Sequence, residues 1–462
     1  MSRVVGVVPY GIYCRPECPG LPNQKNIRRF TLAAAAEAAG YRACLLCRPY
    51  RTEPSSNLPA PELVCRAVQL ILDGALDGGT EDELGARLGM SARHLRRLFL
   101  KHLGATPDQL ARSRRAHFAR RLLDDTDFTI VEVAFAAGFG SVRQLNRECK
   151  QIFRDTPGNL RACRRVADRL VADGGFALRL NFQPPLDWEA MLGYLETRAI
   201  AGVENVFGNT YRRTVMIDGD PGVIEVLPGG PDHLVLRAHL PHWEGLIHFV
   251  QRARRIFNLD ADVMAAAAHL AADPVIGSLM RMRPGIRPPG TWDPFEVGVR
   301  TIVERDVGDG GAIMARIVEE HGTRVGGLQP LGLTHVFPSP SVLAAADFSG
   351  VGLTSAGIVA VNAFSRAVAD ETVHLDRGGG LDQLVASITA IPGLDHCTAD
   401  YLAFRIGEPD AFPAPEAGIR RSIPRPRAEG IAQQFGEASE RWRPWRAHAI
   451  AYQRLLDRSS AA

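Results

Sequence analysis

At 462 residues the chain is too long for one ordinary hydrophobic core, so three or four domains are expected. Its 46% hydrophobic and 23% charged content is that of a soluble globular protein, and its net charge of +3 sets no single basic surface. No apolar run approaches the roughly 18 residues of a membrane span and no signal peptide opens the sequence, so a cytoplasmic, membrane-free protein is expected.

Residues 1–51 carry Cys14, Cys18, Cys44 and Cys47, spaced as C-x3-C, 25 intervening residues, and C-x2-C. Two close-set pairs of this kind suit a tetrahedral four-thiolate zinc site. So short a segment buries little core, and metal binding should supply its folding free energy. The remaining cysteines, Cys65, Cys149, Cys163 and Cys397, are scattered and read as small buried hydrophobes. On spacing alone the four clustered cysteines also suit a purely structural zinc site.

The motif GIYCRPEC followed by AAGYRAC-x2-CRP resembles the N-terminal domain of Ada proteins over residues 4–49. The resemblance implies that Cys14 accepts a methyl group from a DNA methylphosphotriester. Zinc would keep its sulfur a nucleophilic thiolate. Methylation would then remove a negative charge and improve the fit to DNA, making repair a transcription switch. This chain departs from the family in three places. Leu45 and Leu46 stand where basic residues are usual, uncharged residues fill Pro19–Pro22, and Pro9-Tyr10 replaces a Thr-Thr pair.

A polar Pro/Ser linker, residues 52–60, leads to a repeated pattern. Thr80 and Glu83 have capping-box spacing, Gly89 allows a turn, and Ser91 opens a helix bearing Arg93, His94, Arg96 and Arg97. Thr129, Glu132, Gly138 and Ser141 repeat the arrangement ahead of Arg143, Gln144 and Arg147. The units end in Thr106-Pro107 and Thr156-Pro157, joined by a helix predicted from Pro107 to about Asp124. Two such helix-turn-helix units on one linker can enter successive major-groove segments about 34 Å apart. Arginine crowds 93–121 and 143–169, which suits phosphate contacts along both stretches. A basic helix is predicted to continue past Arg161 to about Asp173. Residues 61–163 resemble an AraC/XylS-type DNA-binding domain, marked by Gly138-Phe139 and the tail around Phe153. The resemblance implies operator DNA as a partner and RNA polymerase as the expected second one. Leu145 and Cys149 occupy positions where that family usually has aromatics.

From Phe176 to about Pro289 the segments FALRLNF, RRTVMID, GVIEVLP and HLVLRAHL alternate like strands, with two helical stretches among them. The rest of the chain reads as mostly helical. PPLDWEAMLGYLETRAIAGVENV, RPGIRPPGTWDPFEVGVRTIV, IPGL…TADYLAFRIGEPDAFPA and RWRPWRAHAI resemble AlkA-type DNA-3-methyladenine glycosylases across 176–455. That family has a small antiparallel β domain (here 176–289) followed by helical domains with a helix-hairpin-helix (here 290–455). Its members flip an alkylated purine from the duplex and hydrolyse its glycosidic bond. The resemblance places Gly393 at a phosphate and Glu416 at the catalytic carboxylate position. Four functional positions depart from the family. Asp395 replaces the hairpin's second glycine, Cys397 a tryptophan, Asp306 the apolar wedge, and Glu416 an aspartate. Asp306 and Asp395 are expected to face DNA, and excision to be poor.

The expected fold class is multidomain α+β. It comprises a small zinc module, an all-α double helix-turn-helix, and an antiparallel β domain followed by a helical, glycosylase-like helix-hairpin-helix domain. Three functions fit: a transcription regulator of an alkylation-type damage response, an active alkylbase glycosylase tethered to a DNA reader, or a regulator that now senses another ligand.

Overall fold

The computed structural model describes residues 4–21, 26–52, 58–170, 175–308, 310–413 and 439–459. They belong to two compact units, Met1–Phe182 with His233–Gln251, and Gln183–Asp232 with Arg252–Ala462. The expected α+β, multidomain class holds in both.

The first unit opens with a four-stranded sheet in the order β3-β1-β2-β4. Its strands are β1 (Val4–Val7), β2 (Ile12–Cys14), β3 (Ile27–Phe30) and β4 (Arg42–Ala43). Gly11, at φ +57°, makes the tight return between β1 and β2 that a side chain would strain. Helix α1 (Ala33–Ala38) lies between β3 and β4 in the chain, so β4 runs parallel to β2, with Tyr13 opposite Ala43. Alternation along β2 separates two faces. Val7 and Ile12 pack with the cysteines on one, while Tyr13 points to the other.

The reader follows as α2 (Glu62–Leu72), α3 (Glu81–Arg87), α4 (Ala92–Leu103), α5 (Pro107–Asp125), α6 (Ile130–Ala136), α7 (Val142–Ile152) and α8 (Pro157–Ala162). Both predicted capping boxes form: Thr80 with Glu83 and Thr129 with Glu132 close reciprocal hydrogen bonds. Ser91 and Ser141 cap α4 and α7. Gly89 and Gly138 sit at φ +69° and +78° in the two turns. Leu145 and Cys149 are fully buried, so smaller side chains fill this part of the core.

Two expectations about arginine require correction. Helix α5 is enclosed along most of its length, and Arg114, Arg115, Arg120 and Arg121 are buried rather than turned to a duplex. Arg114 pairs with Asp77 at 2.8 Å and Arg120 with Asp124 at 2.9 Å. A charge in the core needs such a partner. The basic helix ends at Ala162 rather than near Asp173. Among the described residues a short 3-10 turn, Val166–Asp168, follows. Beyond Ala162, Arg164 and Arg169 both reach Asp127, which anchors this strap to the end of the linker helix. The scattered cysteines also differ from expectation: Cys149 is buried, but Cys163 is exposed and Cys65 and Cys397 are half-buried. The unit is completed by β5 (Phe176–Asn181), antiparallel to β9 (His233–His239).

In the second unit, β6 (Glu204–Phe207), β7 (Thr210–Ile217) and β8 (Asp220–Gly230) form an antiparallel meander after α9 (Trp188–Glu196). Its main helical core gathers α13 (Pro294–Val307), α14 (Gly311–His321), α16 (Ser355–Ala369), α17 (Leu381–Thr389) and α18 (His396–Ile406). Gly298 allows α13 and α16 to approach closely, since a Cβ there would lie 2.3 Å from Phe364. A second cluster packs Trp442 and Trp445 against α11 (Val263–Leu270) and α12 (Ile276–Met282). Trp442 donates from Nε1 to Asp273 at 2.8 Å, and Arg443 and Arg446 both pair with Asp410. The RWRPWR motif is therefore scaffold. Among the described residues no helix is long and apolar enough to cross a membrane.

Candidate metal centre and nucleic-acid interfaces

Strand pairing builds the metal centre. Because β2 and β4 run side by side, Cys14 at the end of one emerges beside Cys44 just past the other. The turn after β2 returns Cys18, and the turn after β4 returns Cys47. The four Sγ atoms lie within 4.8 Å of one another, and the cysteines are only 1–6% exposed. Zn–S bonds of about 2.3 Å in a tetrahedron require sulfurs roughly 3.8 Å apart, so the cluster fits the ion. The donor chemistry agrees. The Arg15 amide donates to Cys47 Sγ at 3.3 Å and the Leu46 amide to Cys44 Sγ at 3.4 Å, as thiolate acceptors require. Hydrogen bonding between Cys14 and Cys47 lowers the Cys47 thiol below its usual range and raises that of Cys14, so the two sulfurs compete for charge. Four thiolates cannot share so small a volume without a cation to balance them. Leu45 and Leu46, between the ligands, are 51% and 54% exposed.

The other face of the sheet is docked on the reader. Tyr13, next in sequence to Cys14, donates to Glu37 Oε1 at 2.6 Å, and His117 Nε2 on the linker helix α5 meets the same oxygen at 2.6 Å. Burial pushes the Glu37 carboxyl up, but the adjacent His117 and its hydrogen bonds hold it below the usual range. At the far end of α5, Tyr50 donates to Asp124 at 2.9 Å and Arg51 reaches Asp124 and Asp125 at 3.3 and 3.1 Å. Arg48 pairs with Asp168 at 2.6 Å, and Arg179 of β5 with Asp125 at 3.0 Å. These groups were not found by motif reading. Period-two alternation in IYC, which sets Tyr13 opposite Cys14, was the signal available for one of them.

On the reader, Arg93, His94, Arg96 and Arg97 are exposed along α4, and Arg143 and Arg147 along α7. Their freedom differs. Arg96 is held by Glu81 at 2.8 Å, Arg97 contacts His94 at 3.0 Å, and Arg147 pairs with Glu148 at 3.1 Å. Gln144, half-buried, accepts the Gly140 amide through Oε1 at 3.0 Å, which leaves its amide protons as the outward group. Arg93 and Arg143 have no ion-pair partner among the described residues.

In the second unit, Gly393 turns the hairpin at φ +86°, with Ala360 directly behind it. The two acidic substitutions are not bare charges awaiting DNA. Asp395 caps α18, accepting from the Thr398 amide and hydroxyl at 3.0 Å each, and it forms an ion pair with Arg305. Burial opposes its ionisation, yet Thr398 and Arg305 hold it below the usual carboxylate range. Asp306 accepts from the Thr354 amide at 2.8 Å and from the Thr354 hydroxyl, at the N-terminus of α16. Helix N-termini attract carboxylates, and both aspartates have partners there. Cys397, half-buried, offers no aromatic surface beside them. Glu416 lies outside the described residues.

A four-thiolate module, a paired helix-turn-helix and a glycosylase fold in one chain define a regulator-with-repair architecture. Residues 2–50 match the metal binding domain of Ada, 84–162 a helix-turn-helix domain, and 177–293 the AlkA N-terminal domain. The chain is 36% identical over 457 residues to the "Probable bifunctional transcriptional activator/DNA repair enzyme AlkA" of Mycobacterium tuberculosis, covering 97% of this chain and 92% of that one. It is 30% identical over 284 residues to "DNA-3-methyladenine glycosylase 2" of Escherichia coli, covering 59% of this chain and 95% of the relative. A 3-methyladenine DNA-glycosylase from Archaeoglobus fulgidus shares the fold at TM-score 0.50 and 18% identity, over 61% of this chain and 98% of that one. The chain belongs to the AlkA-type family of bifunctional transcriptional activator/DNA repair proteins. The Ada-type domain and its four-cysteine cluster identify the cofactor as zinc, and the helix-turn-helix makes double-stranded DNA the partner.

Proposed function

We propose that the chain is a transcription activator of an alkylation-type DNA damage response, with Cys14 accepting a methyl group from DNA. The observation that carries this reading is the short hydrogen-bonded path Tyr13–Glu37–His117 from the residue beside Cys14 to the linker helix between the recognition helices. Cys14, Cys18, Cys44 and Cys47 would hold the ion, which supplies thiolate character at Cys14 when bound. Arg93 and Arg143 read bases or phosphates most directly. His94, Arg96, Arg97, Gln144 and Arg147 act after releasing their present partners. The four functional domains are residues 1–51, 61–163, 176–289 and 290–455, with RNA polymerase as the second partner and the cytoplasm as the compartment. The test is the intact mass of the zinc-loaded protein after exposure to duplex carrying a methylphosphotriester. A gain of one methyl on Cys14 supports the reading, and an unchanged mass overturns it.

A second reading, base excision by the glycosylase-like half, is favoured by the retained hairpin turn at Gly393. Its helix N-terminus is already satisfied by Asp395, which supports weak phosphate capture and poor excision. Release of alkylated purine by the wild type, abolished in Glu416→Gln, would establish the enzyme. If neither methyl transfer nor excision occurs, the chain has left alkylation chemistry and senses another ligand.

A further inference from the structure

We infer that Arg29, on the edge strand of the zinc module, supplies the cation for the phosphate at Cys14, replacing the basic residues lost at Leu45 and Leu46. The inference rests on the reading of Cys14 as methyl acceptor. In β1, Val5 lies opposite Cys14 on one side and opposite Arg29 on the other. Residues directly opposed across antiparallel strands project from the same face, so Arg29, Val5 and Cys14 form one row. It is the metal face, because Val7 and Ile12, in phase with Val5 and Cys14, pack on the cysteines. Two strand spacings put the Arg29 and Cys14 backbones about 10 Å apart. A phosphate seated against Cys14 would lie between the sulfur and the long Arg29 side chain.

Most of the other described cations of the module are engaged elsewhere or turned away from Cys14. Arg48 and Arg51 are paired with Asp124, Asp125 and Asp168. Arg28 alternates to the opposite face, its guanidinium 5.0 Å from the Phe30 ring centroid. Arg42 lies opposite Ile12, at the end of β2 away from Cys14, and donates to the Ala43 carbonyl at 3.4 Å. The exposed loop after Cys14 carries Arg15, followed two residues on by the opposite charge of Glu17. Arg29 is exposed and has no ion-pair partner among the described residues.

Its chemical role follows from where charge develops. The Cys14 thiolate pair forms the S–C bond, the methyl C–O bond breaks, and that electron pair stays on the phosphate oxygen. A neutral triester becomes a diester anion, so negative charge moves from sulfur to phosphate as the reaction proceeds. A guanidinium at that oxygen is worth more in the transition state than in the bound substrate, and its removal should lower the rate more than the affinity.

The experiment uses full-length, zinc-loaded protein and a duplex with a single methylphosphotriester. Single-turnover methyl transfer is followed by intact mass for wild type, Arg29→Gln, Arg29→Lys and Arg28→Gln, with zinc content measured for each. Zinc should be unchanged throughout. Arg29→Gln should transfer about a hundredfold more slowly, the loss typical of one oxyanion donor, with Arg29→Lys largely restored and Arg28→Gln at the wild-type rate. Equal rates in wild type and Arg29→Gln, or equal slowing in Arg28→Gln, would overturn this inference alone. A wild type that accepts no methyl would overturn the Cys14 reading and this inference with it.

Discussion

The zinc module and the helix-hairpin-helix treat polar groups in opposite ways. In the first, four sulfurs converge with two backbone amides aimed at them. In the second, the two described acidic departures from the family already have protein partners: Asp395 with Thr398 and Arg305, Asp306 with Thr354. One arrangement is incomplete without something from outside, and the other is complete as it stands. Unbalanced groups are costly unless a ligand repays them, so they mark where function is retained. Groups already satisfied within the protein carry no such mark.

The largest expected effect tests the first half of that contrast. Cys44→Ala with Cys47→Ala should release the metal and remove roughly 10–16 kcal/mol of binding free energy that a short module of this kind uses to fold. Metal analysis and circular dichroism of the double variant check it, and full zinc retention would refute the assignment.

Next comes the docking of the module on the reader. Glu37→Ala leaves Tyr13 and His117 without their shared acceptor and should cost about 3 kcal/mol, the scale of a broken buried pair. The pH dependence has a definite sign. The folded Glu37 pKa lies below its ordinary 4.5, so its contribution is present above that value and fades as pH falls through the lower folded one. Thermal melts of wild type and Glu37→Ala should therefore converge in acid, and a gap that widens there would contradict the assignment.

The reader offers a smaller contrast within itself. Arg143 is unpartnered among the described residues, whereas Arg96 is held by Glu81. Arg143→Ala should cost about 1–3 kcal/mol of operator affinity if it reads a base, or lower the salt slope by about 1 if it contacts a phosphate. Arg96→Ala should cost less, because its gain on DNA is offset by the surface ion pair it surrenders. Titrations of the full chain at several salt concentrations separate the two, and equal losses would show that the Glu81 pair is irrelevant.

What the sequence made legible divides along the same line. Capping boxes, turn glycines and cysteine spacing are local signals, and they placed α3, α4, α6, α7 and the metal ligands closely. Partners distant in the chain left no such mark. Arg114 reads as a phosphate contact until Asp77, 37 positions away, is found beside it. Asp306 reads as a bare charge, and nothing local shows that Thr354, the N-cap of α16 48 positions on, donates to it. The predicted extension past Arg161 failed for a related reason, since Arg164 and Arg169 are drawn back to Asp127 instead of continuing a helix.

The smallest expected effect tests the second half of the contrast, and it can run in either direction. Asp395→Gly removes the cap of α18, which should cost about 1 kcal/mol of stability. The same change frees the Thr398 amide and Arg305, both now engaged by the carboxylate. A phosphate could then accept from each, and hydrogen bonds to charged groups are worth about 1.5–3 kcal/mol before the ordering of the hairpin is subtracted. The net expectation is a gain of about 1 kcal/mol in affinity of the full chain for alkylated duplex, roughly fivefold. Excision of 3-methyladenine or 7-methylguanine should rise over wild type by a similar factor and vanish when Glu416→Gln is added. Two results would break the comparison: robust wild-type excision that Glu416→Gln abolishes, or an Asp395→Gly variant that binds alkylated DNA more weakly. Either would mean that the carboxylate at the hairpin works with DNA, through Arg305, rather than in its place.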